Sequence, residues 1–211
     1  MEGYVVPSLY DKYLFDTGII EINKKRTISG KLIPYQNGFS FYKNLEDIVS
    51  EGNRIQSTLI YKVEAKGKVV KAKRRNLYFA ESISWIKELS QKEKYEYFAN
   101  NQKRLLKKDT GCRRTLASFG LCLDKLVYDK SWLVRKEVAN QRYHLDILIN
   151  DKQTSVRVEV AKKGYKLNRL INDEDWEVRM EVANQKYGLN KLINDRSRNV
   201  RRKAKEMLET N

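Results

Sequence analysis

Apolar residues in the C-terminal half of the chain recur with a period of 22 residues. Leu148-Ile149-Asn150-Asp151 returns as Leu170-Ile171-Asn172-Asp173 and as Leu192-Ile193-Asn194-Asp195. Val134-Arg135 returns as Val156-Arg157, Val178-Arg179 and Val200-Arg201; Val138-Ala139 as Val160-Ala161 and Val182-Ala183; Tyr143 as Tyr165 and Tyr187. A weaker copy lies upstream, in Cys112-Arg113, Leu116-Ala117, Leu123-Asp124 and Leu126-Val127. Several independent positions keep one step, which marks a repeat array.

Each unit reads as two helices. Val134 and Val138 lie one turn apart on one face, and Ala139 beside them permits close approach of a neighbour. Ser131, Asp175 and Ser197 stand where an N-cap is needed, with Gln153 at the same register. The helix is expected to end near Asn140 and Gln141, and Gly164 is a natural terminator at that place one unit on. The second element, Leu145 to Ile149, is barely one and a half turns, α or 3₁₀. A unit this small cannot bury its apolar face alone, so its neighbours must stack. The more polar face of Arg201 to Glu206 is expected of a terminal cap.

Residues 1–90 read as β-rich. Ile55 to Val63 and Gly38 to Tyr42 carry strand-forming or alternating residues, and Val69-Val70 and Glu81 to Glu88 are further strand candidates. Asn44 is placed to cap a helix Leu45 to Ser50, with Asp47 in its first turn. Gln91 to Lys108 reads as an amphipathic helix with Tyr95, Phe98, Leu105 and Leu106 on its apolar side.

Lys and Arg number 43 against 27 Asp and Glu, a net charge of +16. Divided at residue 110, each half carries +8, so the surplus belongs to folded surfaces and not to a tail. Such a balance favours polyanionic partners: nucleic acid, a nucleoprotein complex, or an acidic protein surface. No apolar run approaches the roughly 20 residues needed to span a bilayer. The segment from Met1 to Pro7 lacks the basic and apolar regions of a secretory signal, so the expected compartment is the cytoplasm, with no membrane partner. Two cysteines and one histidine, His144, are too few for a usual zinc site. We expect no metal, no cofactor and no catalytic residues.

The Val-Arg pairs, the Val-Ala pairs and the Leu-Ile-Asn-Asp turns resemble HEAT-like repeats, above all the leucine-rich-repeat variant, over roughly residues 107–208. That family sometimes carries a cysteine-rich iron–sulfur domain; this chain has no such cysteine set. Gly38-Phe39, the helix at 45–50, the strand from Ile55 to a turn at Gly67, and Ile83 to Leu89 resemble a small phage-associated domain of unknown function. The pairing implies a mobile-element protein that acts against a host defence system in the manner of an anti-CRISPR protein. A Gly-aromatic strand followed by a short helix is also similar to ADP-ribosyltransferase folds, with Glu81 as the one late glutamate to nominate; that is the enzymatic alternative.

Arg113, Arg135, Arg157, Arg179 and Arg201 form a column. It is either a phosphate-binding stripe or a ladder bonded to Asp129, Asp151, Asp173 and Asp195, and the ladder is favoured. The nominated ligand-binding cations lie off that column. Lys66, Lys68, Lys71, Lys73, Arg74 and Arg75 form the densest run, on an expected hairpin, where they follow a phosphate backbone or else protect a sheet edge. Lys103, Arg104, Lys107, Lys108 and Arg114 form a second group. Lys136, Arg142, Lys163, Lys166, Arg169, Lys186 and Lys191 vary between repeats and so are not needed for stacking. Trp132 and Trp176 share one repeat position, to stack bases or to pack at a helix start. The expectation is therefore an α+β protein: a β-rich domain over 1–90, a connecting helix over 91–108, and a right-handed α-solenoid of 22-residue repeats over 109–211. It is expected to be a non-enzymatic nucleic-acid or nucleoprotein binder, or else an adaptor for an acidic protein.

Overall fold

The computed structural model describes residues 1–6, 25–27, 39–50, 59–73 and 76–209. The chain is an α+β protein of two compact units, Met1–Thr115 and Leu116–Asn211. Gly38, residues 55–58, Arg74 and Arg75 lie outside the described residues. The boundary falls later than the sequence reading places it, so residues 91–108 belong to the first unit.

In the first unit, strands β1 (Glu2–Val5), β2 (Lys25–Thr27), β3 (Phe39–Tyr42), β4 (Tyr61–Lys71) and β5 (Leu77–Glu88) form one antiparallel sheet. β1 pairs with β3 and β4, and β5 pairs with β2, β3 and β4, so the pairings β1–β3–β5–β4 close into a small barrel-like ring. The alternation in β3 is as expected: Phe39 and Phe41 are buried, Ser40 and Tyr42 half-buried. They share a core with Val5, Val63, Ala65, Ala80 and Ile83. Gly3 is a close-approach site, since a Cβ there would lie 2.3 Å from the Phe41 ring.

Gly67 does not end a strand. β4 runs through it to Lys71, with a register shift between Lys66 and Val69. Gly67 has φ +79°, and the Glu81 carboxylate accepts the Lys68 N–H at 2.8 Å. A β-bulge uses a left-handed glycine in this way to absorb an extra residue without breaking the strand.

Helix α1 (Leu45–Ser50) buries Leu45, Ile48 and Val49, and also Glu46 and Asp47. The Asn44 side chain donates to Asp47 Oδ2 at 3.1 Å, and Asn76 donates to Asp47 Oδ1 at 3.0 Å. Helix α2 (Gln91–Leu105) starts with a capping box: Ser90 Oγ accepts the Glu93 N–H, and the Glu93 carboxylate accepts the Ser90 N–H. Phe98 and Leu105 are fully buried, while Tyr95, expected on the apolar side, is exposed and Lys94 is buried instead. Helix α3 (Thr110–Ser118) begins on Asp109, whose carboxylate accepts the Cys112 N–H at 3.0 Å and the Ser50 hydroxyl at 2.6 Å.

From α3 onward the elements recur. Long helices α5 (Trp132–Asn140), α7 (Thr154–Lys162), α9 (Trp176–Asn184) and α11 (Arg198–Glu209) alternate with short ones: α4 (Leu123–Leu126), α6 (Leu145–Leu148), α8 (Leu167–Leu170) and α10 (Leu189–Leu192). Each long helix from α5 onward packs on the next. Val134, Val156, Val178 and Val200 are fully buried, as are Val138, Val160, Val182 and Ala204. The short helices mix bonds from four and three residues back, as at Leu148 N–H to His144 O (3.1 Å) and Ile147 N–H to His144 O (3.1 Å).

The expected caps behave differently. Only Asp175, among Ser131, Gln153 and Asp175, accepts from its own helix, taking the Glu177 N–H at 2.9 Å. The turn is instead set by the preceding aspartates: Asp129, Asp151, Asp173 and Asp195 each accept the N–H two residues on, at 2.7–2.9 Å. An Asx turn of this kind fixes the chain before the helix begins.

A Cβ on Gly111 would lie 2.6 Å from the Val49 carbonyl oxygen, which is backbone and cannot swing aside. Gly111→Ala is expected to cost roughly 1–3 kcal/mol, read as a lowered midpoint in thermal unfolding.

Candidate functional site

The three central arginines of the column form a ladder. Arg135 grips Asp151 with Nε and Nη2 at 2.5 and 2.8 Å; Arg157 grips Asp173 at 2.8 and 2.8 Å; Arg179 grips Asp195 at 2.7 and 2.9 Å. The remaining nitrogen, Nη1, donates to the carbonyl of Asp129, Asp151 or Asp173 at 2.7–2.9 Å. Each guanidinium thus joins its own turn to the next one and is buried in doing so. Burial raises the Asp151 and Asp195 carboxyls, but the guanidinium and backbone hydrogen bonds outweigh it and hold both below the usual range. These arginines are not open to a ligand.

The loop between each long helix and the following short one is built on two left-handed residues. Gly120, Arg142, Gly164 and Lys186 take the first place, with φ between 54° and 74°. Cys122, His144, Lys166 and Gly188 take the second, with φ between 46° and 62°. At the first place the helix ends in a Schellman motif: the Arg142 N–H bonds Ala139 O at 2.9 Å and the Tyr143 N–H bonds Val138 O at 3.4 Å, and the same pair recurs at Gly164 and Lys186. This conformation costs a residue bearing a Cβ about 1–2 kcal/mol. Glycine serves it in some repeats, whereas Arg142, Lys166 and Lys186 put exposed cations there. Adjacent loops are bonded together, through Gln141 to Ser118 O at 3.1 Å, Arg142 to Lys163 O at 3.0 Å and Lys163 to Asn140 Oδ1 at 2.5 Å.

Charge separates between the two ends of the long helices. The four loops 119–122, 141–144, 163–166 and 185–188 contain Arg142, Lys163, Lys166 and Lys186 and no carboxylate. The turns 127–131, 149–153, 171–175 and 193–197 contain six carboxylates and three cations. Acids border these loops: Glu181 accepts from Gln185 at 3.1 Å, Glu159 pairs with Lys163 at 3.4 Å, and Asp146 lies 3.5 Å from His144 Nδ1.

The other nominated cations are dispersed. Lys136 is half-buried on α5. Arg169 and Lys191 reach across repeats to the turn residues Asn150 and Asn172. Lys103, Lys107 and Lys108 are exposed and Arg114 is half-buried. Arg104 is committed: with Tyr97 it donates to the buried Glu46 carboxylate. Burial would raise that carboxyl, but these bonds hold it below its ordinary value.

Lys66, Lys68, Lys71 and Lys73 are exposed. Lys66 pairs with Glu64 at 3.0 Å, and Lys71 lies 5.8 Å from the centre of the Tyr78 ring. β1 covers β4 only from Tyr61 to Glu64, so Lys66, Lys68 and Lys71 stand where β4 has one described strand neighbour, β5. That is where lysine blocks edge-to-edge pairing.

Among the described residues no group of three or more His, Cys, Asp or Glu is placed to hold a metal ion. Nor is any helix there long and apolar enough to cross a membrane. Burial, then the nearby Asp109, pushes the Cys112 thiol up to about 12, which leaves it protonated and unreactive. Glu81, the nominated glutamate, serves the bulge at Gly67. Trp132 and Trp176 begin their helices, each 37% exposed. The chain matches no protein-family model and no curated protein.

Of the left-handed places the sequence reading singled out only Gly164, as a helix terminator, although Gly120 and Gly164 share a register with Arg142 and Lys186, and Gly188 shares one with Lys166.

Because Asp151 and Asp195 ionise more readily folded than unfolded, the ladder's contribution is fully present above about pH 4 and is lost as pH falls below it. Asp151→Asn strands a buried guanidinium and is expected to cost roughly 3–5 kcal/mol at pH 7. The midpoint of thermal unfolding followed from pH 7 to pH 2.5 should fall less steeply in the variant than in the parent.

Proposed function

We propose that the second unit is a right-handed α-solenoid of the HEAT-like, leucine-rich-repeat-variant kind, and that the protein is a non-enzymatic binder of nucleic acid or of a nucleoprotein complex. The observation that carries this reading is the contrast between the two sets of cations. Arginines that could have formed a phosphate stripe are neutralised inside the stack, while the loops at the other end of the long helices keep their cations in a stretch without carboxylates. A stack that buries one set of cations and exposes Arg142, Lys166 and Lys186 at its other end presents a directional surface to a polyanion.

The net charge of +16 supports the same reading, since a surplus of this size repels itself unless a partner offsets it. A role against a nucleic-acid-guided host defence follows only from the resemblance of the N-terminal unit to phage-associated domains. An acidic protein partner is the competing binder, and direct binding to DNA or RNA distinguishes the two.

Binding of a labelled oligonucleotide should weaken steeply with salt, with a slope of log K against log salt of about −2 or steeper if three or more phosphates are neutralised. Fluorescence anisotropy from 50 to 300 mM salt measures it. A flat response, or no binding at the lowest salt, removes the nucleic-acid reading.

A further inference from the structure

The left-handed loop places hold more than a charge surplus. Arg142, Lys166 and Lys186 fall one to a repeat, in three consecutive loops. All three are exposed, and all three occupy backbone that glycine fills at an equivalent place in another repeat. A cation held there against the preference of the backbone is a cation retained for its side chain. Solubility alone does not account for it, since a lysine on any exposed helical position would serve as well without the strain.

Next to each left-handed cation stands a tyrosine. Tyr143 follows Arg142, Tyr165 precedes Lys166 and Tyr187 follows Lys186. Tyr187 is 41% exposed, and Gly188 beside it carries no side chain to cover it. The Lys166 ammonium lies 5.2 Å from the centre of the Tyr165 ring, which brings charge and ring to one spot. Each repeat therefore offers one cation and one flat ring, and stacked helices place successive repeats roughly 8–10 Å apart. A polymer that itself alternates phosphate and flat base meets this pattern. A folded acidic protein offers its carboxylates at irregular intervals and has no use for the ring. A duplex keeps its bases stacked inside, out of reach of a tyrosine, whereas a single strand can turn them outward.

We propose that the loops carrying Arg142, Lys166 and Lys186 form a track for single-stranded nucleic acid, the cations neutralising phosphates and Tyr165 and Tyr187 stacking on bases. This rests on the nucleic-acid reading above and locates it.

The test uses the full chain and a labelled 20-nucleotide strand, as RNA and as DNA, beside the same sequence as a duplex. The variant Arg142→Gly/Lys166→Gly/Lys186→Gly replaces each cation with the residue its backbone prefers. Relief at three left-handed places offsets the lost Arg142 bond to Lys163 O and the lost Lys166 contact with Tyr165, so it is expected to unfold near the parent's temperature, yet to flatten the salt slope for single strands by about 2, from roughly 0.7 per lost contact. A charge-matched variant, Lys125→Gln/Lys130→Gln/Lys152→Gln, removes three exposed cations from the short helix α4 and from the turns, and should leave the slope nearly unchanged. Tyr165→Leu/Tyr187→Leu keeps apolar cover on the helix ends and should weaken binding about tenfold or more through lost stacking. If the glycine variant melts lower, Arg142→Gln/Lys166→Gln/Lys186→Gln gives the same reading without a change of backbone freedom.

If the parent binds single strands but the glycine and glutamine variants bind as tightly, this track is overturned while nucleic-acid binding stands. Equal losses in the charge-matched variant, tighter binding to the duplex, or equal binding to an acidic peptide such as poly-glutamate would overturn it as well. A parent that binds no nucleic acid brings down the underlying reading itself.

Discussion

The second unit depends on a buried guanidinium that reaches forward. An arginine one turn into each long helix spans 16 residues of sequence to the aspartate of the next turn, and holds its own turn by a carbonyl. A unit with a four-residue second helix has little apolar surface, and helices so short leave most of their end groups without an intrahelical partner. The arginine supplies donors to those ends, and the aspartate supplies an acceptor both to the arginine and to the following N–H. One pair thus does three jobs at every interface between repeats. Removing either partner leaves a buried charge, which is why the column cannot double as a ligand site.

Once the column is closed, whatever the protein binds must be met elsewhere. The loops at the other end of the long helices vary more, since they share a left-handed backbone in two places but only some are bonded to the next, as Arg142 is to Lys163 O. Variation there has put Arg142, Lys166 and Lys186 where Gly120, Gly164 and Gly188 would have been easier. The first unit contributes differently: its exposed lysines on β4 lie along a stretch that needs shielding from other strands, and Arg104 is tied to Glu46.

The period of 22, the buried valines and the arginine–aspartate pairing were legible because each rests on the chemistry of a side chain repeated at fixed spacing. Val134, Val156 and Val178 could be assigned to the interior before any coordinates existed. What sequence concealed was backbone. Ser131 looks like a cap, yet Asp129 two residues earlier takes over the turn, its carboxylate accepting the Ser131 N–H at 2.8 Å. Gly67 looks like a turn and is a bulge, since both uses require positive φ and only the pairing partner distinguishes them. Lys94 and Tyr95 exchange their expected places on α2 because helix periodicity cannot tell which of two adjacent residues meets the sheet. The left-handed loop residues were hidden for the same reason: Arg142 and Lys186 do not advertise positive φ as glycine does.

The two cysteines give the loops a practical use. Burial pushes both thiols up, but Cys112 is sealed in the first unit, whereas Cys122 occupies the place that Lys166 holds two repeats later and is only partly covered. A mild alkylating dye should therefore mark the native chain at one position, at the start of the row of loops. The molecule carries its own attachment point for a fluorophore or spin label beside the surface whose occupancy most needs to be watched, and no residue has to be engineered to gain it.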